Sequence, residues 1–144
     1  MIAQLTGSVA ELLSGQVVLD VGGVGFLLGV SATTVAQLPE QGSAGVTLYT
    51  RLLVRESAME LYGFSSRDER AVFDRLVAVS GVGPKLALAI LSAFTPATLA
   101  TIVRLQDASR LSQVPGVGRK KVQHLLVELQ DVFAQDGELG GLVA

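Results

Sequence analysis

The chain has 144 residues, 49% of them hydrophobic and 17% charged, with a net charge of −2. It holds no Cys and a single His, which excludes disulfides, cysteine nucleophiles and the usual zinc ligand sets. Apolar runs stay short of the roughly 18 residues of a membrane span, and Met1-Ile2-Ala3-Gln4 offers no basic segment of a secretory signal, so a reducing cytoplasm is the expected location.

In chain order, Ile2 to Val9, Gln16 to Val21, Phe26 to Val30, Val46 to Val54 and Met59 to Phe64 read as strands. They are short, rich in Val, Leu and aromatics, and separated by turn residues. Gly22-Gly23-Val24-Gly25 suits a tight hairpin, and Thr33 to Leu38, closed by Pro39, suits one short helical piece. Five strands with a helical insertion after the third predict an OB-type β-barrel over residues 1–64.

At Ser65 the period becomes helical. Ser66 followed by Glu69 has capping-box spacing and opens a helix carrying Val72, Phe73, Leu76 and Val77. Pro84 starts a second helix reaching about Phe94, Thr95-Pro96 a third, and Asp107 caps a short fourth to Val114. A fifth runs from Arg119 to about Ala134 with Val122, Leu125, Leu126, Leu129, Val132 and Phe133 apolar at helical spacing. Residues 135–144, with three Gly and two acids, read as a flexible linker. The class is therefore α+β and multidomain, a barrel followed by an all-α domain over 65–134.

Charge follows the same division. Residues 1–50 hold three acids and no Lys or Arg, residues 51–134 hold all eleven basic residues against eight acids, and the last ten hold two acids. A locally basic middle in an acidic chain points to an anionic partner on one face.

The helical part contains a repeat offset by 35 residues. Leu76 matches Leu111, Val79 matches Val114, Gly81-Val82-Gly83 matches Gly116-Val117-Gly118, Lys85 matches Lys120, Ala87 matches Val122, and Ile90-Leu91 matches Leu125-Leu126. Each copy reads as helix, Gly-hydrophobic-Gly turn, helix. The glycines permit a sharp turn and close backbone approach, Val82 or Val117 plugs the gap, and the next helix starts with amides lacking partners at the positive end of its dipole. Such an end holds a phosphate, and Lys85, Arg119, Lys120 and Lys121 add charge beside it. Contacts of this kind position a protein on DNA without reading its sequence. The unit resembles the helix-hairpin-helix motif, and two copies resemble its paired, minor-groove form.

Other chemistries find no support. Neither turn has the spacing of a nucleotide P-loop, and Gly23 to Gly29 lacks a dinucleotide fingerprint. His124 falls off the apolar stripe and reads as a surface residue. Asp68, Glu69 and Asp74 read as complements of a helix dipole rather than a metal site. No catalytic site, metal or cofactor is expected.

Val54-Arg55-Glu56-Ser57-Ala58 followed by Leu61-Tyr62-Gly63-Phe64 resembles the RuvA family, whose usual form is Val-Arg-Glu-Asp-Ala before Leu-Tyr-Gly-Phe. Val21 to Phe26 and Gly81 to Ala87 share the likeness, which extends from Met1 to about Phe133. The resemblance implies a homotetramer, or an octamer, holding a four-way (Holliday) junction open and planar. It implies hairpins that grip the arms through Gly81, Val82, Gly83, Lys85, Gly116, Val117, Gly118, Arg119, Lys120 and Lys121. It implies an acidic pin at Glu56, flanked by Arg55 and Ser57. Partners by resemblance are DNA, the hexameric RuvB motor, engaged through a third domain beyond this chain's end, and the RuvC resolvase. The chain would itself be a non-catalytic subunit of a branch-migration helicase in recombination and repair. Several positions depart from the family. Ser57 replaces a second pin acid, Gln4 stands where a basic residue is common, and Lys121-Val122-Gln123-His124 replaces Thr-Ala-Glu-Arg. The alternatives are a general duplex or single-strand binder, which calls for exposed stacking aromatics, and a nuclease or glycosylase, which calls for a catalytic acid or Lys beside the hairpins.

Overall fold

Five strands close on themselves in the order β1-β2-β3-β5-β4, with β4 returning to β1, in a computed structural model that describes residues 1–135. The strands are β1 (Gln4–Leu13), β2 (Gln16–Val21), β3 (Val24–Gly29), β4 (Val46–Val54) and β5 (Met59–Phe64). All ladders are antiparallel except β3 with β5, which is parallel through Gly29 and Tyr62. This is the OB-type barrel that the strand pattern predicts. Alternate residues point inward, so Val9, Val17, Leu19, Leu28, Val30 and Leu48 fill the interior, backed by Leu5, Val35 and Leu61.

One strand exceeds its predicted length. β1 continues past Val9 to Leu13, with a register shift between Val9 and Glu11. Residues 4–7 pair with β4 and residues 8–13 pair with β2. A bulge bends a strand and lets it serve two partners. The exposed Glu11-Leu12-Leu13 end carries no inward alternation that a pattern could show.

Short helix α1 (Ala32–Gln37) links β3 to β4, and Ser31 Oγ caps it by accepting from the Thr34 amide at 3.0 Å. The β4–β5 ribbon ends in a tight tip. Arg55 N–H donates to the Ala58 carbonyl at 2.8 Å, and Ala58 N–H returns to Arg55 at 3.4 Å, leaving Glu56 and Ser57 as the two turn residues.

The chain forms two compact units, the first being Met1–Arg70. Its border lies inside helix α2 (Arg67–Val77) rather than at the change of period near Ser65. The first turn of α2 is tied to the barrel by side chains. Glu69 is buried and accepts from Ser31 Oγ at 2.7 Å and from Thr34 Oγ1. The Arg70 guanidinium donates to the Ala3 carbonyl at 2.7 Å, and Arg67 and Arg70 stand over the Tyr49 ring at 5.0 and 5.7 Å. The Ser66 half of the predicted capping box is made. Ser66 Oγ accepts from the Glu69 amide at 3.1 Å, but the Glu69 carboxylate is drawn to α1.

The second unit continues with α3 (Pro84–Ala93), α4 (Pro96–Arg104), α5 (Ala108–Leu111) and α6 (Arg119–Gln135). α6 packs on α4 and α5, burying Val122, Leu125, Leu126, Leu129 and Phe133 at helical spacing. Of the expected linker, residues 136–144 lie outside the described residues, and Gln135 is still helical. No single helix among the described residues is long and apolar enough to cross a membrane.

Candidate nucleic-acid interface

The 35-residue repeat is a repeat of structure. Val79 N–H bonds Leu76 O, Val82 N–H bonds Val79 O, and Ala87 N–H bonds Gly83 O, at 3.1, 3.1 and 3.0 Å. The equivalents are Val114 to Leu111, Val117 to Val114 and Val122 to Gly118, at 3.2, 3.0 and 2.8 Å. Every apolar position of the repeat is buried in both copies, including the plugs Val82 and Val117, each 5% exposed.

The two glycines of each hairpin do different work, where the sequence suggested one shared role. Only the first has a left-handed backbone, with φ of 87° at Gly81 and 95° at Gly116. L-residues avoid that region. The second, Gly83 or Gly118, needs no such freedom, and at Gly83 φ is −91° and ψ 176°. A Cβ built on either second glycine would meet nothing within 4 Å. The fold leaves that space open.

The helix starts point to the same surface. α1, α4 and α5 are capped by the side chains of Ser31, Thr95 and Asp107, each accepting a backbone amide of its own first turn. α3 instead begins at Gly83 with no side-chain cap. Its Lys85 and Leu86 amides therefore have no intrahelical partner, and Pro84 has no N–H to offer. α6 begins at Arg119, directly after Gly118, and Val122 N–H bonds Gly118 O as Ala87 N–H bonds Gly83 O. Lys85, Arg119 and Lys120 are exposed, and Lys121 is half-buried. Gly81, Gly83, Lys85, Leu86, Gly116 and Lys121 line one groove of about 470 Å³, so the two hairpins meet. His124 is exposed, as its place off the apolar stripe predicts.

In the first unit, Glu56 stands exposed at the β4–β5 tip, with Arg55 and Ser57 also exposed. Sequence reading overlooked what surrounds it. Arg55 pairs with Glu60 at 3.2 Å, and the Tyr62 hydroxyl donates to Glu60. Burial, reinforced by the Glu60 carboxylate, pushes the Tyr62 phenol up to about 12. The signal was Glu60 and Tyr62 two apart on one strand, hence on one face. Because Arg55 is spent on Glu60, Glu56 is left as the acid at the tip. Burial also raises Glu69, against the hydrogen bonds from Thr34 and Ser31 that favour its charged form. Of the four barrel aromatics, Phe64 and Tyr62 are buried, Phe26 is half-buried and Tyr49 lies under two arginines, so none among the described residues is an open stacking face.

A family model described as the RuvA N terminal domain matches residues 1–63, and one described as a SAM-like helix-hairpin-helix tandem matches residues 73–131. Curated relatives named Holliday junction branch migration complex subunit RuvA are similar along most of the chain. The protein of Chromobacterium violaceum is 48% identical over 145 residues, covering 99% of this chain and 73% of the relative. That of Anaeromyxobacter sp. (strain Fw109-5) is 51% identical over 134 residues, 93% of this chain and 68% of the relative. That of Pseudomonas savastanoi pv. phaseolicola is 50% identical, over 92% of this chain and 65% of the relative.

Proposed function

The chain belongs to the RuvA family, and from that premise we propose that its two hairpins grip the arms of a four-way DNA junction while Glu56 acts at the crossover. It is a Holliday-junction-binding, non-catalytic subunit of a branch-migration complex whose ATPase is RuvB. The observation carrying the hairpin role is the pair of equivalent, glycine-started helices whose first amides carry no side-chain cap in α3, where neighbouring helices do.

A phosphate oxygen seated at each hairpin accepts the open amides and meets the positive end of the helix dipole. Lys85 on one side, and Arg119 and Lys120 on the other, add charge. Because the contacts go to the backbone, binding is independent of sequence and steeply dependent on salt. Glu56 does the opposite: its exposed carboxylate repels phosphates and keeps strands apart at the crossover.

The acting form is a homotetramer, in which four Glu56 side chains converge. Support comes from apolar side chains left exposed on the barrel, among them Val24, Leu27, Val54 and Met59 at 56, 50, 63 and 70% exposure. Leu27 and Met59 line one depression together with Leu52. RuvB is engaged by the further domain of the family, RuvC by the junction face left uncovered, and the work is done in the cytoplasm where the chromosome lies.

A gel-shift competition between a four-way junction and a linear duplex of equal length, at one fixed salt concentration, tests this. Strong preference for the junction is expected. Equal affinity would leave only a paired-hairpin duplex binder.

A further inference from the structure

We infer that Lys121, although it lies on the helix of the second hairpin, supplies its charge to the phosphate held by the first. The inference rests on the hairpins binding phosphate as proposed above.

The two hairpins contact each other reciprocally. A Cβ at Gly116 would lie 3.1 Å from Leu86 Cδ1, and a Cβ at Gly81 would lie 4.0 Å from Lys121 Cε. Gly81 and Gly116 are equivalent under the 35-residue repeat, and so are Leu86 and Lys121. The helix of each hairpin therefore sends its third residue across to the first glycine of the other hairpin. At this pair of equivalent places the chemistry differs. Leu86 brings only methyl groups to the second hairpin, whereas Lys121 brings an ammonium to the first.

The groove shows the same asymmetry. Lys121 lines it with Gly81, Gly83 and Lys85 of the first hairpin and Gly116 of the second, whereas Arg119 and Lys120 of its own helix start are exposed outside it. Lys121 is half-buried, with its Cε beside Gly81 of the opposite hairpin. The first hairpin is also the poorer in donors. Pro84 stands where the second hairpin has Arg119, which removes one amide and one cation. With Lys121 reaching across, each hairpin has two cations: Lys85 and Lys121 at the first, Arg119 and Lys120 at the second. Assigned by helix alone, the division would be one against three.

The test uses the whole chain and a set of duplexes, each carrying one neutral methylphosphonate linkage. Linkages whose binding penalty shrinks in K85A mark the phosphate of the first hairpin, and those whose penalty shrinks in K120A mark that of the second. Lys121→Leu copies the equivalent Leu86 and keeps the packing, and Lys121→Gln checks that the effect follows the charge. Both are expected to shrink the penalty at the K85A-marked linkage, leave the K120A-marked one unchanged, and lower the salt slope by about one per bound protomer. Shrinkage of the penalty at the K120A-marked linkage instead overturns the inference, as does retention of both penalties in full. If the unaltered chain shows no methylphosphonate penalty anywhere, the hairpin reading itself fails, which is a separate outcome.

Discussion

The β4–β5 tip and the two helical hairpins are all sharp turns exposed to solvent, yet they present opposite charge by opposite means. At the tip an ordinary two-residue turn displays one side chain, Glu56, after Arg55 has been drawn to Glu60. At the hairpins the backbone itself faces outward, and glycine keeps side chains away from it. A charge carried by a side chain can be altered without disturbing the turn. A charge carried by amides is lost as soon as anything stands in front of them.

The largest effect is expected where that difference is sharpest. Gly83→Val or Gly118→Val puts bulk into space the fold leaves open. Each change should weaken DNA binding by about 1.5–3 kcal/mol, roughly ten- to a hundredfold, while costing less than about 1 kcal/mol of stability. Gly81→Val or Gly116→Val should behave in reverse, lowering the melting temperature through a left-handed backbone that a β-branched residue resists, at a cost of about 2 kcal/mol. Gel shifts and thermal melts on the four variants read both quantities. If affinity survives at Gly83 and Gly118, the hairpins are structural turns.

Next comes the tip. Glu56→Lys should leave junction affinity intact or raise it severalfold, while strand opening at the crossover, followed by a fluorescent base analogue, declines. A loss of affinity at unchanged oligomeric state would overturn the pin role of Glu56. The smallest effect belongs to the other notable acid of this unit, the buried Glu69. Its folded carboxyl is raised above the usual 4.5 by burial. The stability linked to that proton is therefore complete below about 4.5 and is lost as pH rises through the folded value. Glu69→Gln cannot ionise, so melts taken from pH 4 to pH 8 should shift progressively in favour of the variant. A constant difference across that range would mean the site accommodates the charge.

Much of the molecule could be read before folding was considered. The period-2 and period-3.6 patterns located strands and helices because each element buries one face, and Thr95 and Asp107 announced the helix starts they cap. The hairpins were legible because the same turn occurs twice, 35 residues apart. The Lys121 crossing was also latent there. Applying the offset to Leu86 pairs it with Lys121, but only contact shows that the pair points outward from its own helix.

What the sequence determined by itself was element type, the tip acid and the glycine turns, all set by near neighbours, and the repeat, which needs only a comparison of the chain with itself. Tertiary structure decided the rest, because it depends on groups distant along the chain. Glu69 reached beyond its helix start since Ser31 and Thr34, 38 and 35 residues earlier, offer two hydroxyls in a buried place. β1 outran its pattern since it changes partner midway, from β4 to β2. The second glycines were told apart from the first by the empty space around them, which no local spacing encodes.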